Sequence, residues 1–111
     1  MPREHERVPL SLEAISELSS GKREARVSDL SMGGCYVDSI VTVPVGENVI
    51  VSVRMPTGEW MRLSGEVTYC FPGIGFGLRF NDHAEYDRGL LERVIRSKGG
   101  KPFDYDDSEF K

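Results

Sequence analysis

No apolar run in this sequence approaches the roughly 20 residues that a bilayer-spanning helix needs. The opening MPREHER is too polar to be a signal peptide. The expected compartment is therefore the cytoplasm, with no membrane insertion. Cysteine is scarce: Cys35 and Cys70 lie in separate strand-like segments with no CxxC pair, so two reduced thiols are expected rather than a disulfide or a metal site. The only histidines, His5 and His83, are far apart and lack ligand-type neighbours, so both read as solvent-facing and neither metal nor cofactor is expected. Positive charge is also short. Fourteen Lys and Arg against eighteen Asp and Glu leave a formal charge of −4, the opposite of the basic face that DNA or RNA selects. The single tryptophan, Trp60, reads as a packing or surface residue rather than a stacking platform.

Glycine and proline, by contrast, are plentiful. Twelve glycines and six prolines in 111 residues imply many turns and short strands, and the length suits one domain with a modest core. Residues 1–7 show no apolar periodicity and read as a flexible arm. Val8, Leu10, Leu12 and Ala14 then alternate as a half-buried strand requires, and the step to Ile15 suggests a bulge there. SSGK turns the chain, Ala25 and Val27 begin a second alternation, and Cys35 and Val37 a third. Val49, Val51, Val53 and Met55 form the cleanest alternation, followed by the hairpin turn PTG, where Gly58 supplies positive φ. Met61, Leu63, Val67 and Tyr69 share the next face, interrupted at Gly65 where a barrel strand would bend, and Phe76, Leu78 and Phe80 the last.

Asn81 or Asp82 is placed to cap a helix whose apolar positions are Leu90, Leu91, Val94 and Ile95, with Tyr86 most simply in the core. Gly99 and Gly100 end it. Residues 99–111 form an acidic tail expected to be disordered. The fold class implied is mainly β: a six- to seven-stranded antiparallel barrel with a C-terminal helix over residues 8–98, the helix covering the barrel's open end.

Charge is uneven along the chain. Every basic residue before Asp29 (Arg3, Arg7, Lys22, Arg23 and Arg26) lies in the arm or the first hairpin, so a small anion can find a basic site there. If the first hairpin turns at Ser20 and Gly21, Arg7 lies opposite Gly34, and the arm faces the stretch SDLSMGGC. Arginine offers a planar fork for phosphate or for guanine O6 and N7. Asp29 can accept from the N–H edge of guanine, and Ser31 can donate to a phosphate. Gly33 and Gly34 let backbone N–H groups approach an anion, although a strand-to-strand turn alone could also demand them. Together these groups fit a guanine nucleotide carrying phosphates. Lys22, Arg23 and Arg26 read as solvated hairpin charges, and Arg79, between Leu78 and Phe80, points outward.

The sequence resembles the PilZ domains that bind cyclic di-GMP. Their signature is RxxxR before the first strand and [DN]xSxxG between the second and third. This chain has REHER at Arg3 to Arg7 and DLSMGG at Asp29 to Gly34. The similarity extends through VPVGENVIVSVRMPTGEW, GEV and GIGFGLRF, over about residues 3–98. It implies a PilZ-type barrel that is a non-catalytic receptor: Arg3 and Arg7 hold guanine and phosphate, Asp29 and Ser31 contact guanine and the adjoining ligand surface, and Gly33 and Gly34 permit close approach. Family members often carry a second arginine before the first; Pro2 stands there and points to a monomeric ligand. A single-domain receptor must act through a downstream effector protein, with motility or exopolysaccharide control as candidate outputs, by ordering its arm.

Three other readings compete. A PilZ-type adaptor would work through protein contacts without nucleotide. A small-barrel binder of RNA or single-stranded DNA would carry a basic groove interleaved with aromatics, which the acidic balance disfavours. An enzyme would need more than residue types: His5, Asp29 and Ser31 match a hydrolytic triad in kind, but no nucleophile elbow or oxyanion hole accompanies them.

Overall fold

Alternating apolar residues build six strands whose pairing closes on itself. The computed structural model describes residues 7–100. Its strands are β1 (Val8–Leu18), β2 (Gly21–Leu30), β3 (Gly34–Asp38), β4 (Asn48–Arg54), β5 (Trp60–Phe71) and β6 (Gly75–Phe80). All pairings are antiparallel, and the strands close in the order β1-β2-β3-β6-β5-β4, with β1 also pairing β4. Closure leaves no unpaired sheet edge, so the exposed ladder groups of an open sheet are avoided. The first three strands and the last three thus meet at two seams, β3 against β6 and β1 against β4.

The inward residues are those that the period-two pattern selects. Val27, Val37, Val51, Leu63 and Phe76 are fully buried in one core, to which every strand contributes. The helix α1 (Glu85–Ser97) adds Leu90, Leu91, Val94 and Ile95, a single face at helical spacing. It closes the barrel end that carries the β2–β3 turn, where Leu91 shares a cleft with Met32, Gly33 and Phe80. Two polar contacts fasten its start: Asp87 Oδ1 accepts the Arg62 backbone N–H at 2.9 Å, and the Tyr86 hydroxyl donates to Glu59 Oε2 at 2.5 Å. That hydrogen bond holds the Glu59 carboxyl below its ordinary range and the Tyr86 hydroxyl above its own.

Several local expectations change. β1 has no bulge at Ile15: its pairing with β2 runs unbroken from Leu18↔Gly21 to Leu12↔Val27, and the inward place after Ala14 goes to Ser16. The buried Ser16 hydroxyl is satisfied by donating to the Arg23 carbonyl at 3.3 Å, which leaves Ile15 outside. Tyr69 leaves the inner face because Thr68 is an extra residue between the pairs Val67↔Leu78 and Tyr69↔Gly77, and such a bulge flips the phase.

The helix begins later than expected, after Ala84, with no side-chain cap. Asn81 instead extends the barrel, its N–H donating to the Ser64 carbonyl at 2.9 Å. Glu85 and Asp87 place negative charge in the first turn, where the helix dipole favours it. Tyr86 is exposed rather than core. His83 is half-buried rather than solvent-facing: it packs edge-on against Phe80 with centroids 5.0 Å apart, and its Nε2 lies 3.3 Å from the Ser64 backbone. Among the described residues no helix is long and apolar enough to cross a membrane.

Removing buried side-chain volume at the helix–barrel contact should show where stability resides. Leu91→Ala is expected to lower unfolding free energy by about 2–5 kcal/mol. Tyr86→Ala, at a 61% exposed position, should leave the unfolding midpoint close to wild type. Urea denaturation of both variants makes the comparison.

Candidate functional site

The first hairpin decides what Arg7 can reach. Its turn is Ser19–Ser20, with Gly21 following at φ +123°, in the region that favours glycine. One extra residue in β1 between Pro9 and Leu12 then shifts the ladder, so that Val8 pairs with Leu30. Arg7, one residue earlier, therefore stands at the mouth of the β2–β3 turn instead of opposite Gly34. Its Nη1 donates to Asp29 Oδ1 at 2.6 Å, a charge-assisted contact with both side chains about 40% exposed (41% and 38%). The two halves of the motif thus touch, through Asp29.

A second bulge presents Asp29. Val27 pairs Val37 and Asp29 pairs Tyr36, so Ser28 is the extra residue. Both Val27 and Leu30 are buried although three positions separate them, and Ser28 and Asp29 between them stay half-buried. A strict alternation could not hold both apolar residues inward and leave the carboxylate at the surface.

Ser31 plays a different part from Asp29. It is only 3% exposed. Its Oγ accepts the backbone N–H groups of Gly33 and Gly34 at 3.2 and 3.1 Å and donates to the Gly34 carbonyl at 3.3 Å. The Ser31 N–H donates to that same carbonyl at 2.9 Å. The hydroxyl is therefore the internal brace of a tight turn with Met32 and Gly33 at its tip, and both glycine N–H groups point at it. Gly33 fixes the tip to β6, its carbonyl accepting the Phe80 N–H at 2.8 Å. Gly34 is required by packing: a Cβ there would strike the Leu78 carbonyl oxygen across the β3–β6 seam.

Below the turn, burial pushes the Cys35 thiol up to about 12, with the nearby Asp29 charge adding to the rise and Arg7 opposing it. Cys35 and Cys70 are both free thiols, Cys35 buried and Cys70 half-buried.

Two residues given no part in the site by their sequence neighbours flank it in space. Tyr36, the partner of Asp29, lies on the outer face with its ring stacked on Tyr69 at 6.2 Å between centroids. Gly75 and Gly77 leave the bare backbone over which these rings lie. Arg79 pairs with Gly34 and holds Glu66 through Nη2–Oε1 at 3.0 Å. The alternation that buries Leu78 and Phe80 shows that Arg79 faces outward, but only the β3–β6 register shows what it faces. Lys22, Arg23 and Arg26 are all exposed on the hairpin, Arg26 donating to Ser11 Oγ at 3.0 Å. Arg3, Pro2 and His5 lie outside the described residues. Among the described residues no group of three or more His, Cys, Asp and Glu is placed to hold a metal ion.

The family model for the PilZ domain matches residues 2–97. The chain belongs to the PilZ domain family. Solved structures share its fold at low identity. The Bacillus subtilis inhibitor of motility MotI/DgrA has a TM-score of 0.75 at 18% identity, covering 87% of this chain and 51% of its own. The PilZ domain of Escherichia coli YcgR, solved with cyclic di-GMP, has a TM-score of 0.74 at 16% identity, covering 89% of this chain and 92% of its own. Borreliella burgdorferi PlzA in complex with cyclic di-GMP has a TM-score of 0.66 at 19% identity, covering 82% and 40%. This PilZ domain thus spans about half of MotI/DgrA and less of PlzA. No curated protein sequence matches it.

Two measurements test the turn. Ser31→Ala leaves two buried N–H groups without their acceptor and should lower stability by about 1–3 kcal/mol in urea denaturation. Cys35 sets an alkaline limit. The unfolded thiol loses its proton above about 9, while the folded thiol keeps it to about 12, so the unfolded state binds fewer protons in that window. The Cys35 contribution is complete below pH 9 and is lost as pH rises towards 12, by up to about 1.4 kcal/mol per pH unit. Cys35→Ala should remove that part of the pH slope.

Proposed function

We propose that this PilZ domain is a non-catalytic receptor for cyclic di-GMP, bound on the outer face of the barrel between the N-terminal arm and the β2–β3 turn. The observation that carries the reading is the Arg7–Asp29 contact beside the turn braced by Ser31, which joins the two parts of the motif at one surface. The cyclic di-GMP complexes of YcgR and PlzA support it by likeness of fold.

In this reading the Arg7 fork turns from Asp29 to a phosphate or to the guanine O6/N7 edge, and Asp29 is released to accept the guanine N–H groups. Arg3 adds a second fork from the arm. Ser31 and Gly34 act through the turn and the seam they hold, and Gly33 acts by leaving the ligand a surface without a side chain. No step of covalent chemistry is involved. Arg3 and Arg7 clamp the ligand from the arm, and ordering of residues 1–7 over it changes the surface offered to a downstream effector. The fold is shared with MotI/DgrA, an inhibitor of motility, and with the PilZ domain of CeSA from a cellulose-synthesizing bacterium, so motility and exopolysaccharide control both stand as candidate outputs.

A nucleotide-independent adaptor is the second reading, favoured by one observation: Tyr69, Phe71 and Ile74 on the β5–β6 hairpin expose apolar surface suited to a protein partner. Amide NMR separates the two, because the adaptor predicts no cyclic di-GMP shifts at residues 3–8 or 29–35.

Calorimetric titration with cyclic di-GMP should give saturable binding by the wild-type chain at ligand concentrations of about tens of micromolar or below, as for a free energy of roughly −6 to −8 kcal/mol or better. Arg7→Ala should weaken it by about 1–3 kcal/mol, roughly five- to 150-fold. Absence of heat with the wild type, or equal binding by Arg7→Ala, would sink the receptor reading.

A further inference from the structure

The register of the β3–β6 seam brings a second arginine to the turn. Arg79 is the direct partner of Gly34 on one side and of Glu66 on the other. It points outward, since Leu78 beside it is in the core. Gly34 has no side chain to stand between Arg79 and the turn. Arg7 reaches the same turn from the β1 side. From β1 to β6 is three strand spacings, about 14 Å between backbones, so two long side chains can converge over Gly34 from opposite sides.

The two arginines rest in the same way. Each is paired to one carboxylate, Arg7 to Asp29 and Arg79 to Glu66, and each pair is exposed. The Arg79 side chain is 69% exposed and is held through a single Nη2–Oε1 contact at 3.0 Å, not a two-pronged one. Exposed one-point pairs contribute little to stability and exchange partners readily. A phosphodiester anion accepts from both prongs of a guanidinium, which the present contact with Glu66 does not use. A cyclic di-GMP molecule carries two such groups and two guanine O6/N7 edges, four fork-shaped acceptors for the two forks of the arm.

We propose that Arg79 is a further ligand-binding arginine of this site, facing those of the arm from the β6 side, which exchanges Glu66 for a phosphate of the bound dinucleotide while Arg7 serves the other end. The inference rests on the cyclic di-GMP reading above. Glu66 is the resting partner: it keeps Arg79 beside Gly34 when the site is empty and competes with the ligand for it. The arrangement makes affinity tunable from β5, a strand that carries no part of either motif.

Titration of the full 111-residue chain with cyclic di-GMP tests this in a cycle of Arg79→Ala, Glu66→Gln and the double variant. All three should melt close to wild type because both side chains are exposed. Arg79→Ala should weaken binding roughly five- to 150-fold, and Arg79→Lys, which keeps the charge but not the fork, should fall in between. Glu66→Gln should tighten binding severalfold, and that gain should vanish in the Arg79→Ala background. Binding by Arg79→Ala within twofold of wild type overturns the proposal. A Glu66→Gln gain that survives without Arg79 also overturns it, because the carboxylate would then be acting only as a like charge near the anion. If the wild type itself fails to bind, the receptor reading falls instead, so the two failures are distinct.

Discussion

The carbonyl oxygen of Leu78 occupies the space that a Cβ on Gly34 would need, and the motif end of the barrel is built around that close approach. Gly34 sits on the β3–β6 seam, which joins the first three strands to the last three. With the backbones drawn together there, Gly33 can accept the Phe80 N–H, and the tip of the β2–β3 turn becomes continuous with the end of β6. The helix follows within a few residues and covers that end with Leu91. A side chain on Gly34 would therefore push apart the seam, the turn and the helix seat together.

The motif DLSMGG divides into two physical groups. Ser31 and Gly34 are buried, and their role is shape: the hydroxyl satisfies two N–H groups that would otherwise be orphaned, and the missing Cβ permits the seam. Asp29 is at the surface, paired with Arg7 in a contact of the kind worth about 0–1 kcal/mol to stability. The barrel does not depend on that pair for its fold, which leaves the guanidinium free to take another anion and the carboxylate free to accept from other donors. In the cyclic di-GMP reading proposed above, stability and recognition are thus assigned to neighbouring residues of one six-residue stretch without competing for the same atoms.

Much of the fold was legible because period-two burial is strict wherever one strand face meets a core. Val27, Val37, Val51, Leu63 and Phe76 follow it, and the turn at Gly58 has the positive φ that its residue type implies. The pattern misleads where a polar residue can be buried with a partner inside the sheet, as with Ser16, or where an extra residue resets the phase, as at Thr68. It misleads also at the helix start, where Asn81 has the chemistry of a cap but is drawn instead into hydrogen bonding with Ser64 and Asn48. For Arg7, counting from the hairpin turn points to Gly34 in the stretch SDLSMGGC, and the structure sets it against Asp29 of that stretch. The turn lies one residue earlier than Ser20–Gly21 and β1 carries a bulge near Pro9 that leaves no trace in the alternation, so the meeting point is Asp29 rather than Gly34.

Arg79 illustrates a limit of a different sort. Its outward direction follows from Leu78 and Phe80, but direction alone does not name neighbours. Within a hairpin the partner of a residue can be counted from the turn, as Glu66 can be counted from Arg79 around the β5–β6 turn once the extra residue Thr68 is known. β3 and β6 are joined by no short connection, and their register is fixed by closure of the barrel as a whole. The one local clue is Gly34 itself. A bare backbone in a strand signals that another backbone comes close, and here that backbone is the Leu78–Arg79 segment. The second of the paired glycines, which a turn alone could explain, is thus the residue that records where the far side of the barrel meets the motif.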